Sequence, residues 1–131
     1  MEYRRTIFGY ECDLYGHLNN ANYLHLYEEA RADALDQMGL PVRKLMEIGI
    51  HVYIIRVEID YIKGIPVEER VRINSEIEKL NKIKGIWKQE IFNSNGDLCS
   101  RARVTGVFIK NGKAVRLPED IYDHFRRFQE I

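Results

Sequence analysis

The residues best suited to chemistry lie close together near the start of this sequence. Residues 11–31 read Glu-Cys-Asp-Leu-Tyr-Gly-His-Leu-Asn-Asn-Ala-Asn-Tyr-Leu-His-Leu-Tyr-Glu-Glu-Ala-Arg. Asp13 sits in a loop ahead of a helix, and its reference pKa of about 4 leaves it ionised at neutral pH. Such a carboxylate can attack a carbonyl or deprotonate a water. The helix, starting at Asn19 or Asn20, offers free N–H groups and the positive end of its dipole. A carbonyl held there is polarised, and one oxyanion donor is typically worth about 3–4 kcal/mol in the barrier. Gly16 lets the loop pass close to a ligand. On spacing alone, however, an Asp ahead of a helix is first a turn or cap residue. Both readings of Asp13 stand at this point.

The neighbours divide in the same way. His17 either hydrogen-bonds a substrate or orders its own loop. Asn19 reads as a loop and cap residue whose surrounding backbone matters more than its amide. Tyr23 and Tyr27 fall on the apolar face of the helix, where core packing is the commoner use.

These residues need a frame. Residues 3–10 read as a first strand and 11–19 as a loop hinged at Gly16. From Ala21 to Met38 there is no Pro or Gly, and Tyr23, Tyr27, Ala30, Ala34 and Met38 recur at helical spacing, with Leu24 and Leu35 beside them. Gly39 ends this helix and Pro41 prevents its continuation; a short helical turn over 42–48 follows. Beyond Gly49 the period becomes two. Tyr53, Ile55, Val57, Ile59 and Tyr61 mark one strand, and Val71, Ile73, Ser75 and Ile77 a second. Residues 84–92 and 98–109 form a hairpin across a loop containing Asn95-Gly96. Asn111-Gly112 turns the chain again, and Pro118 opens a last helix to about Phe128. Hairpin-joined strands are antiparallel, and a sheet polar on one face must bury the other on the long helix. The expected class is α+β.

Composition narrows the function. Length fits one domain, 1–131. Lys+Arg and Asp+Glu are both 20, which argues against nucleic acid or an anionic membrane as partner. No run of about 18 apolar residues predicts a membrane span. Cys12 and Cys99 make neither a disulfide framework nor a metal spacing, and a cytoplasmic protein is expected. There is no Gly-x-Ser-x-Gly elbow and no Gly-rich phosphate loop. His17, His25, His51 and His124 lack zinc spacing. No metal or cofactor is expected.

The run from Glu11 through Asp13, Gly16-His17-Leu18-Asn19-Asn20 and Tyr23 resembles the signature of the 4-hydroxybenzoyl-CoA thioesterase-like branch of hotdog proteins. Val57-Glu58-Ile59-Asp60-Tyr61 is similar to the strand after the helix, and Leu117-Pro118-Glu119 to the C-terminal boundary. The sequence departs at Glu11, where Asp is common, and at Gly64, where Pro is frequent. The resemblance implies a hotdog fold, a curled five-stranded antiparallel sheet around one long helix. It implies hydrolysis of an acyl-CoA thioester, with Asp13 as nucleophile or general base and the amides around Asn20 as the catalytic pair. Gly16, His17, Asn19 and Tyr23 are implied at the substrate. It also implies a homodimer or homotetramer with the site at the subunit boundary. Two alternatives go with it: acyl carrier protein as the carrier, or a non-hydrolytic acyl-CoA binding or regulatory module, favoured if Asp13 is turned from the helix or buried against a cation. Basic strand residues such as Arg56, Arg72, Arg101 and Arg103 read as the wet side of the sheet. Other hotdog branches carry the carboxylate on the helix, where Glu28 and Glu29 read here as a solvated or salt-bridged edge.

Overall fold

Residues of alternating polarity between 70 and 109 pair into a sheet whose apolar face wraps one helix. In the computed structural model, which describes residues 1–129, the strands are β1 (Glu2–Thr6), β2 (His51–Tyr61), β3 (Arg70–Leu80), β4 (Lys84–Phe92), β5 (Leu98–Lys110) and the short β6 (Lys113–Ala114). The helices are α1 (Asn22–Gln37), α2 (Val42–Glu47) and α3 (Glu119–Arg126). Strand order is β1-β3-β4-β5-β2, all neighbours antiparallel, with β6 hairpinned onto β5. β1 to β5 and the central α1 make the α+β class that the element order predicts and the hotdog arrangement that the resemblance implies.

Tyr23, Tyr27, Ala30, Ala34 and Met38 are buried on one face of α1 and its C-cap, together with Leu26. Tyr23, Leu26, Tyr27 and Ala30 meet Ile73, Ile91, Ala102 and Val104 from the sheet. Leu24, on the same helix, faces solvent. A second apolar cluster gathers Met38, Leu45, Ile50, Ile77, Phe108 and Phe125 where α2 and α3 close the far end. Polar ties fix the middle of α1. The fully buried Gln89 donates to the Tyr27 carbonyl at 3.0 Å and to Ser75 Oγ at 2.9 Å. Its Oε1 accepts from Arg31 at 3.0 Å, and the Tyr27 hydroxyl bonds Ser100 at 2.7 Å.

Three differences from the sequence pattern have physical causes. β1 stops at Thr6, because the chain turns after the buried Ile7 into a 3-10 turn at Gly9–Glu11. α1 begins at Asn22, because Asn19 spends its side chain on a turn that precedes the helix: its Oδ1 accepts the Ala21 N–H at 3.0 Å and its carbonyl the Asn22 N–H at 2.9 Å. In β2 the register slips between Ile54 and Arg56, so Ile55 is a bulge. Val52 and Ile54 therefore share the concave face with Val57, Ile59 and Tyr61, whereas strict alternation groups Tyr53 and Ile55 with them. β2 pairs β5 on one side only and is exposed along nearly its whole length.

Gly85 and Gly106 lie directly opposite each other across β4 and β5, with Ile54 beside Gly106 on β2. A Cβ on Gly106 would come within 2.7 Å of Val52 Cγ1. The missing side chains open a dip in the concave face. No helix among the described residues is long and apolar enough to cross a membrane.

Replacing Gln89 by Leu strands the Tyr27 carbonyl, Ser75 and Arg31 without their buried partner. Urea unfolding should show a loss of about 3 kcal/mol, since each orphaned group costs about 1–3 kcal/mol. A change below 0.5 kcal/mol contradicts this role.

Candidate active site

Asp13 opens a tight three-residue hairpin. Its N–H donates to the His17 carbonyl at 2.9 Å, its carbonyl accepts the Gly16 N–H at 3.1 Å, and Cys12 bridges Leu18 across the base. Gly16 has φ +76°, with open space where its Cβ would stand. The backbone conformation thus already calls for glycine, as three-residue hairpins do. Asp13 Oδ1 accepts the Tyr15 N–H at 2.9 Å and lies 3.4 Å from the His17 N–H. Oδ2 accepts no hydrogen bond among the described residues. Both sequence readings therefore meet in one side chain: one oxygen folds the turn, and the other is presented to solvent. Asp13 is exposed, and no cation among the described residues lies within 4 Å of it.

The hairpin is held from both sides. Leu18 N–H donates to the Ile65 carbonyl at 2.7 Å, and Val67 N–H to the Gly16 carbonyl at 3.0 Å. The His17 ring lies over Gly64, where a Cβ would approach its Cδ2 to 3.1 Å. That contact favours glycine at this position. Below the hairpin, Glu11 is 5% exposed and pairs through Oε1 with Arg5, while the same oxygen accepts the Phe8 N–H at 3.0 Å. Arg5 Nη1 also grips both oxygens of Glu29, on α1, at 3.0 and 2.9 Å, and the Tyr3 hydroxyl donates to Glu29 at 2.9 Å. One guanidinium thus ties β1, the segment leading into the hairpin and the first half of α1 together. Sequence reasoning kept Glu11 as a motif position and Glu29 as a salt-bridged edge, and missed Arg5, which joins them. Its signal was faint, an arginine on a short strand beginning Tyr3-Arg4-Arg5.

At the helix start, the amides of Ala21 and Asn22 are consumed by Asn19. The Asn20 amide makes no hydrogen bond among the described residues, and neither do the first-turn amides of Tyr23 and Leu24. Asn20's carbonyl accepts the Tyr61 hydroxyl at 3.1 Å, and Tyr61 packs edge-on against Tyr23 at 4.9 Å. Tyr23 is 4% exposed, and its phenol is pushed up to about 12, by burial first and then by Cys99, Tyr61 and Asp13. It stays protonated and forms part of the floor under the hairpin. The predicted residues thus assemble as Asp13, Gly16, His17, Asn19 and Asn20 in one surface feature, with Tyr23 beneath.

A cavity of about 310 Å³ lies elsewhere, against the second half of α1. Leu45, Ile50, Ile77, Trp87 and Phe108 wall it, Gly85 and Gly106 floor it, and Val52 and Ile54 of β2 border it. Glu28 and Arg31 are its charged members on α1, and no residue of the Asp13 hairpin reaches it. On the opposite face of the sheet Arg101 pairs with Asp60 and Arg103 with Glu78, the wet side that the sequence indicated.

Arg5→Met leaves Glu11 buried and unpaired. It should cost about 3 kcal/mol in denaturant unfolding, the lower end for removing one partner of a buried pair. Glu11→Gln, which keeps an acceptor for Phe8, should cost less than half of that. Equal losses for the two variants would show that the charge at Glu11 is not what Arg5 answers.

Comparison with known proteins agrees with this geometry. Residues 9–125 match the family described as the thioesterase-like superfamily. The long-chain acyl-CoA thioesterase FadM of Escherichia coli is 30% identical over 124 residues, covering 92% of this chain and 93% of that protein. The 1,4-dihydroxy-2-naphthoyl-CoA hydrolase of Thermosynechococcus vestitus is 25% identical over 118 residues, 89% of this chain and 81% of that one. The crystal structure of the DHNA-CoA thioesterase from Staphylococcus aureus superposes with a TM-score of 0.91 over 96% of this chain and 88% of that one, at 24% identity, and shares the fold. With the match running from the 3-10 turn before Asp13 into α3, the chain belongs to the thioesterase-like superfamily and is a thioester hydrolase.

Proposed function

We propose that this protein hydrolyses acyl-CoA thioesters to free acid and coenzyme A, with Asp13 acting on the thioester carbonyl and the Asn20 amide polarising it. The observation that carries this reading is the uncommitted oxygen of an exposed Asp13, held in a hairpin that leads directly into the start of α1. A thioester is already electrophilic, and its thiolate departs with a pKa of about 8–9. A carboxylate and an oxyanion donor therefore suffice, without an acid for the leaving group. Asp13 either adds to the carbonyl, expelling the thiolate and leaving a mixed anhydride for water to cleave, or takes a proton from the water that adds. The carrier is coenzyme A on the strength of the two relatives named for CoA thioesters. His17 and Gly16 shape the hairpin that presents Asp13, and Asn19 sets the turn that frees the Asn20 amide.

The separation of Asp13 from the cavity has an explanation in the open edge. β2 offers one unpaired backbone edge along its eleven residues and exposed Val52, Tyr53, Ile54, Ile55 and Val57, a surface that an isolated chain covers poorly. A second copy pairing β2 antiparallel about a two-fold axis covers it. Such pairing sets the Tyr61 end of one strand beside the His51 end of the other. Asp13 of the partner subunit then approaches the cavity bordered by Val52 and Ile54. The working unit is at least a homodimer, acting in the cytoplasm with Cys12 and Cys99 as free thiols.

Three measurements test the reading. Asp13→Ala should lower kcat on acyl-CoA esters by about 100-fold or more, the scale of a positioned acid–base group, while ligand binding persists; full activity would overturn the mechanism. After a single turnover in ¹⁸O water, label in Asp13 identifies the anhydride route. Ile55→Arg, on the open edge, should shift the protein to monomer in analytical ultracentrifugation and reduce kcat in parallel. A monomer of undiminished kcat/KM sinks the shared site.

A further inference from the structure

The cavity contains one charged group that packing does not explain. Arg31 projects from α1 among Leu35, Leu45, Ile77 and Trp87, part-buried, with Glu28 one helical turn before it. Its single hydrogen-bond partner among the described residues is the neutral Gln89 Oε1, at 3.0 Å, and no carboxylate among them lies within 4 Å. Arg5, Arg72, Arg101 and Arg103 each have such a carboxylate. A guanidinium carries five N–H donors and stays charged in proteins. Desolvation lowers the pKa of Arg31, with Glu28 the charge that works against this. Glu28 itself is exposed at the rim, so it supports the charge of Arg31 from a distance without using its donors. Plain hydrocarbon laid into this cavity would cover those donors and leave them without acceptors, which costs free energy for each. An acyl group with an oxygen in reach would satisfy them, and Arg matches planar oxygen pairs especially well.

We propose that Arg31 sets acyl specificity, selecting acyl groups that carry an anionic or hydrogen-bond-accepting oxygen remote from the thioester, a carboxylate or a phenol. This rests on the reading that the cavity receives the acyl group of a thioester substrate. Discrimination of this kind is strong when a buried polar group would otherwise lie unpaired.

The test uses the full chain and matched pairs: hexanoyl-CoA against adipoyl-CoA, and benzoyl-CoA against 4-hydroxybenzoyl-CoA. Turnover gives kcat/KM. Binding is followed separately in the Asp13→Ala background by the fluorescence of Trp87, which lines the cavity and is the sole tryptophan. The wild type should favour the oxygenated member of at least one pair by about tenfold or more, the scale of one charge-assisted hydrogen bond. The pair that responds tells carboxylate from phenol. Arg31→Met should erase the preference while leaving the unsubstituted member of that pair unchanged or improved. Arg31→Lys should restore part of a carboxylate preference, and serves if the Met variant is unstable. A wild-type preference for both unsubstituted esters overturns the proposal. So does an equal loss on both members in Arg31→Met, since a merely structural arginine would act alike on each. Binding that follows the oxygen while no ester is turned over instead overturns the hydrolytic role of Asp13 and leaves the selectivity standing.

Discussion

A single guanidinium decides where the Asp13 hairpin sits on this protein. Arg5 is on a five-residue strand, yet its side chain engages Glu11 at the root of the Asp13 hairpin and Glu29 in α1. Burying such a cluster gains little stability over an apolar core of the same volume. What it supplies is direction. Apolar contacts would tolerate the hairpin sliding over α1, whereas two carboxylates on one planar fork allow little sliding. The hairpin and α1 keep their mutual position because Glu11 and Glu29 both bind Arg5.

α1 divides its labour along its length. The first turn meets the hairpin and Tyr61, the middle is tied to the sheet through Tyr27, Gln89 and Ser75, and the last half roofs the cavity. Hydrogen bonds do the positioning near Asp13, while apolar walls with one cation face the cavity. The bulge at Ile55 joins the two regions, since it lets Val52 and Ile54 reach the cavity and Tyr61 reach the helix start from the same strand.

Much of this could be read from the residues. The buried face of α1 follows from spacing alone, because a helix has one period and the core needs one stripe. Strands β3 to β5 follow from alternation and from turn residues such as Asn95-Gly96. Asp13 follows from the loop and helix signals as one plausible carboxylate, and only the resemblance carried by Gly16-His17-Leu18-Asn19-Asn20 singles it out. The rest depends on partners remote in sequence. No local pattern tells that Arg5 meets both Glu11 and Glu29, or that Asn19 is spent on the turn before the helix. The face of β2 was misjudged because a bulge is set by pairing with β5 and leaves no mark in β2 itself. The cavity was invisible because its members run from Glu28 to Phe125 and its floor is defined by side chains that are absent.

That absence at Gly85 and Gly106 has a consequence for how the family can diversify. A cavity shaped by a helix kink or a loop insertion can change only if the backbone is rebuilt. Here the depth depends on two facing positions in a sheet whose hydrogen bonds do not involve side chains at all. A methyl group added at Gly106 would press on Val52 and one at Gly85 on Leu80, so a change there reshapes the cavity through these two neighbours while the hairpin and the helix start stay remote from it. The shape of the cavity and the geometry of the Asp13 hairpin are thereby encoded in different residues, and one can drift while the other is held fixed.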